Sequence, residues 1–148
     1  MRYLCFSLLM TACKPALPGL YQFEAISVDD ECNLEGITSD SFEANLAYEE
    51  ESSENIVIIN AGSFGRHRLE IDWSGDARGV SFGQASVPDI LSCSADYTTK
   101  VKASLSRTKV DLTFDTAHAI PECAEREEEV CLSLITFEGT YGQSNSGG

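Results

Sequence analysis

From Tyr97 to Leu105 the chain alternates strictly: Tyr97, Thr99, Val101, Ala103 and Leu105 fall on one side, and Thr98, Lys100, Lys102 and Ser104 on the other. A period of two lines one face of an extended strand and leaves its other face wet; a helix, with a period of 3.6, cannot satisfy it. Val110, Leu112 and Phe114 repeat the pattern after a short polar link from Ser106 to Lys109, so the two runs predict an antiparallel hairpin. Phe42, Ala44, Leu46 and Tyr48 alternate in the same way, as do Leu69, Ile71 and Trp73. Further strands are expected from Leu20 to Val28, along the continuous apolar run Ile56 to Ile59, around Val80 to Val87, and from Val130 to Tyr141. The charged stretch Glu122 to Glu129 has no apolar face and predicts a loop or at most one helical turn. Residues tolerant of positive φ stand between the runs, as in Asn60-Ala61-Gly62 and Ser74-Gly75-Asp76. The expected fold is therefore all-β, an antiparallel barrel or sandwich of about eight strands. The barrel is preferred, because sequential hairpins that close on themselves leave no exposed sheet edge.

The first residues follow a different logic. A single cation, Arg2, precedes an apolar run from Tyr3 to Met10, and Met10-Thr11-Ala12 leads directly into Cys13. This start resembles the signal of bacterial lipoproteins, although Met10 stands where leucine is usual. The resemblance implies cleavage after Ala12, lipid on Cys13 and a cell-envelope location, with the outer membrane favoured because Lys14 is not the aspartate of an inner-membrane retention signal. Residues 1–12 would then be signal peptide, 13–19 a lipidated cysteine and tether rich in proline and glycine, 20–142 a single β domain, and 143–148 a disordered tail of Ser, Asn, Gln and Gly. Acyl chains, at about 0.8 kcal/mol per buried methylene, would supply the membrane attachment.

Six cysteines are disposed of without remainder on this reading: Cys5 leaves with the signal, Cys13 takes lipid, and Cys32, Cys93, Cys123 and Cys131 form two disulfides in an oxidising compartment. Three pairings are possible. Cys123 with Cys131 is preferred, because the loop between them can bring its ends together, which leaves Cys32 for Cys93. Zinc is not expected, since there is no CxxC and neither His67 nor His118 stands at ligand spacing from a cysteine.

Charge narrows the partners. Ten Lys and Arg face 24 Asp and Glu, a formal net charge of −14, which repels nucleic acid and anionic lipid headgroups alike. Asp72-x-Ser74-x-Asp76 begins like an EF-hand loop, but Ala77 occupies its glycine position and Gly83 its bidentate glutamate position, so a polar turn is expected. The runs Glu49 to Glu51 and Glu127 to Glu129 predict solvated loops. No metal or cofactor is expected.

Two further sets of residues bear on function. Gly19-x-Tyr21 resembles the lipocalin Gly-x-Trp signature with tyrosine for tryptophan; the resemblance implies a carrier of a small apolar ligand lined by Phe42, Leu46, Trp73 and Phe114. His67 and His118 are the chain's two histidines and so its two bases of near-neutral pKa, the requirement for a small hydrolase, yet neither lies in a nucleophile motif. The leading expectation is a lipid-anchored, non-enzymatic β domain that acts through binding or structural contacts with a protein or small-molecule partner. The carrier and the hydrolase are the alternatives.

Overall fold

A computed structural model describes residues 16–32, 41–49, 55–61, 65–72 and 74–142. The signal-like start with Cys13, the aromatic Trp73 and the tail 143–148 lie outside the described residues. The chain forms eight strands: β1 (Gly19–Asp30), β2 (Ser41–Tyr48), β3 (Ile56–Asn60), β4 (Arg66–Ile71), β5 (Asp76–Ser86), β6 (Ser94–Ser106), β7 (Lys109–Ala119) and β8 (Val130–Tyr141). Each pairs antiparallel with the next and β8 pairs with β1, which closes the barrel. The expected hairpin is β6–β7, joined at Arg107 and Thr108. Glu122–Ala124 is a single 3-10 turn, the one helical turn that the stretch allows.

The inward residues are those of the alternation: Val101, Ala103, Val110, Leu112 and Phe114 are buried, while Lys100, Lys102 and Ser104 are exposed. They join Tyr21, Phe23, Leu46, Ile59, Leu69 and Phe137 in an apolar core that fills the lower and middle barrel. Its aromatic rings interlock, with Phe42 stacked on Phe23 at 4.9 Å and edge-on to Phe137 at the same centroid distance.

The lower end is closed by the chain itself. Ala16 is fully buried, and the Tyr48 hydroxyl donates to its carbonyl at 2.7 Å. The Tyr21 hydroxyl donates to the Leu17 carbonyl at 2.7 Å, and the Leu17 N–H donates to the Arg107 carbonyl. Of the residues that composition assigned to a tether, 16–18 pack across the base of the barrel and Gly19 already belongs to β1.

At the upper end two disulfides join Cys32 to Cys131 and Cys93 to Cys123. Both correct the expected pairing of Cys123 with Cys131 and Cys32 with Cys93. The reason is a β-bulge: the β1–β8 register shifts between Ala25 and Ser27, so inward residues are Tyr21, Phe23 and Ala25 below it and Val28, Asp30 and Cys32 above it. Cys32 therefore arrives opposite Cys131. The 3-10 turn carries Cys123 over to Cys93 on the β5–β6 link.

Candidate functional site

The strand registers bring one layer of different chemistry together around the barrel. Asp30 of β1 pairs with Ser133 of β8, Ser133 with Thr116 of β7, Thr116 with Thr99 of β6, and Thr99 with Ser81 of β5. Ser81 Oγ lies 3.1 Å from His67 Nδ1 on β4. Directly opposite residues in an antiparallel ladder share a face, so the six side chains form an inward polar belt across six of the eight strands. His118 and Tyr97, themselves a cross-strand pair, stand one inward step above it with ring centroids 5.6 Å apart.

Five polar side chains are buried among the described residues, His67, Thr99, Thr116, His118 and Ser133, and all five belong to this belt or the step above it. Apolar packing bounds the layer on both sides. Below it, Ile135, Phe114 and Val101 are buried in the main core; above it, Cys32, Cys93, Cys131, Ala85 and Ala95 form a second apolar cluster. A polar group so enclosed needs a partner. Thr99 and Thr116 share a hydroxyl hydrogen bond at 2.9 Å, and His67 has Ser81, with its ring edge-on to Phe114 at 5.2 Å.

His118 is the exception. Its Nδ1 is buried and has no hydrogen-bond partner among the described residues. Burial pushes its pKa below the ordinary histidine value, and the nearby negative charge of Asp30 opposes that shift without cancelling it. The net effect favours the neutral ring. Asp30 is half-buried; one of its oxygens accepts from the Cys32 N–H at 2.9 Å, and no described ion pair involves it.

The β1 side of the belt differs from the rest. β2 pairs with β1 only up to Glu24, where Ser41 stands opposite, so above that level β1 has only β8 as a described neighbour. Val28 shares the inner face with Ile135, yet Val28 is 59% exposed where Ile135 is 3%. Val28, one step below Asp30, is therefore exposed on the face that its partner Ile135 buries.

Of the residues singled out from the sequence, the structure brings His67 and His118 to this layer. Phe42, Leu46 and Phe114 are members of the packed apolar core. An open surface depression of about 430 Å³ lies away from this layer, at the β5–β6 link, and is lined by Val87, Ile90, Leu91 and Cys93 among others. The Asp72 turn behaves as its composition predicts: Asp72 Oδ1 accepts from the Ser74 N–H and hydroxyl and from the Asp76 N–H. Ser74 above all holds the Asp72 carboxyl below its ordinary range. Among the described residues no group of three or more acids, histidines or cysteines could hold a metal ion.

Sequence reasoning missed Asp30, Ser81, Thr99, Thr116 and Ser133 as a set. A partial signal was present, because Thr99 lies on the inward side of the alternation from Tyr97 to Leu105, and Thr116 and His118 continue the period of Val110, Leu112 and Phe114. Compared with known proteins, the chain matches no family model, no curated protein and no solved structure. No described helix is long and apolar enough to cross a membrane.

Proposed function

We propose that this protein is an exported, lipid-anchored binding module: a disulfide-stapled barrel held to a cell-envelope membrane through Cys13 and acting without catalysis. The observation that carries this reading is the arrangement of the two ends. Ala16 is locked into the lower end, so Cys13, three residues earlier, can reach at most about 10 Å from it. Lipid there would set the closed base against the bilayer. Both disulfides and the β5–β6 link, with Leu91 96% exposed at its tip, would then point away from it. Four cysteines paired in the fold agree with an oxidising compartment. Metabolic labelling with an alkyne palmitate tests the anchor: label is expected on the native protein and lost in Cys13→Ala, and an unlabelled, uncleaved product in the soluble cytosolic fraction overturns the reading.

One contact favours a second reading, a small hydrolase. His67 Nδ1 and Ser81 Oγ stand within hydrogen-bond distance, the first requirement for a base and a nucleophile. A fluorophosphonate probe decides the matter. An adduct on Ser81 that is lost in His67→Gln establishes a reactive serine, and an unmodified Ser81 removes the hydrolase.

A further inference from the structure

We propose that the upper interior binds a small organic cation, its ammonium group taken by the Asp30 carboxylate and His118 Nδ1 and its carbon skeleton lying against the Tyr97 ring. This inference rests on the reading of the domain as a binding module and is independent of the anchor.

Three observations converge. His118 is nine-tenths buried and faces the barrel interior, yet its Nδ1 has no partner among the described residues. An orphaned buried ring nitrogen costs stability unless something supplies the missing bond. Asp30 presents a carboxylate to the same interior without a described counter-charge, and its two neighbours along the belt, Ser133 and Thr116, are neutral hydroxyls. Arg126 donates from its guanidinium to the Cys32 carbonyl at 2.6 Å and forms no described ion pair with Asp30. Third, Val28, one step below Asp30 on the same face of β1, is 59% exposed.

These features select the charge of the ligand. A carboxylate accepts hydrogen bonds, and so does the Nδ1 of a neutral imidazole whose proton sits on Nε2, whereas an ammonium group offers only donors. An anion would meet Asp30 and the overall charge of −14. An alcohol could satisfy His118 but would leave the Asp30 charge unanswered. Tyr97 adds an aromatic face beside the cation, a favourable placement in a partly desolvated site.

Titration of the purified disulfide-bonded protein at pH 7.5 with methylammonium, n-butylammonium and 1,4-diaminobutane tests this, followed through the 15N resonances of the His118 ring, with n-butanol and butyrate as comparators. Saturable shifts of the His118 Nδ1 resonance are expected with at least one amine and with neither comparator. Asp30→Asn keeps the oxygen that accepts from Cys32 N–H while removing the charge, and it should weaken the amine by about tenfold or more. Asp96→Asn, on the outer face of β6, should leave the affinity unchanged. Equal shifts with n-butanol, or an undiminished affinity in a folded Asp30→Asn, overturn the cation and leave a binding module for neutral ligands. No saturable shift with any amine or comparator overturns the site itself, while palmitate labelling of Cys13 would stand or fall separately.

Discussion

Cys32 and Cys131 meet just past the end of the β1–β8 ladder, with Cα atoms 5.4 Å apart, two residues beyond the pair Asp30 and Ser133. The bond therefore locks the first strand to the last at the mouth of the barrel, 99 residues apart in sequence. Closing so long a loop restricts the unfolded chain most.

In the loop-entropy account, the Cys32–Cys131 bond contributes about 4.7 kcal/mol and the 30-residue Cys93–Cys123 closure about 3.6 kcal/mol. The double variant Cys32→Ala/Cys131→Ala is expected to lose more stability than Cys93→Ala/Cys123→Ala, by about 1 kcal/mol, in chemical denaturation. Non-reducing peptide mapping should recover these two linkages, and a peptide joining Cys123 to Cys131 would contradict the barrel.

Gly79 lies next to the β4–β5 ladder, which has only the pairs Glu70–Arg78 and Ile71–Ala77. A Cβ at position 79 would stand 2.6 Å from the Arg68 carbonyl oxygen, a backbone atom with little room to yield. Gly79→Ala is expected to destabilise by about 1–3 kcal/mol. The amides of Leu69 and Ile71 should lose hydrogen-exchange protection before those of the β6–β7 hairpin.

His118 makes stability depend on pH below neutrality. Its folded pKa is depressed, chiefly by burial, so below about 6.5 the unfolded chain binds a proton that the folded chain refuses. The unfolded state then holds more protons, and stability falls as pH drops from 6.5 toward the folded value. Denaturation midpoints at pH 7.5, 6.5 and 5.5 should decline, and His118→Gln should flatten this slope; an unchanged slope assigns it to other groups.

Tyr21 does the same at the alkaline end. Burial first, then the neighbouring Tyr48 and Tyr141, push its phenol up to about 12, against the hydrogen bond to Leu17. Between pH 10 and about 12 the unfolded chain has released a proton that the folded chain retains, so stability is lost as pH rises through that window. Ultraviolet titration should show a late-ionising tyrosine that disappears in Tyr21→Phe.

Much of this molecule was legible in the chain. The alternations at Phe42–Tyr48, Tyr97–Leu105 and Val110–Phe114 named strands and their buried faces correctly, since side-chain direction in a strand follows from period alone. The barrel followed from sequential hairpins, and the turn chemistry of Asp72 from local hydrogen bonding.

The polar belt and the disulfide pairing were not legible, and one residue accounts for much of that. An unbulged β1 would send Asp30 and Cys32 outward; the extra residue at Ile26 reverses the parity, which turns Asp30 toward Ser133 and Cys32 toward Cys131. Amino-acid identity thus determined, unaided, where the strands run, which faces of the regularly alternating strands are wet and how acidic the chain is, because those properties are local or additive. Which inward polar residues meet, and which sulfurs bond, was decided only when eight strands took a common register, since contact across a barrel depends on the summed offsets of every ladder between them.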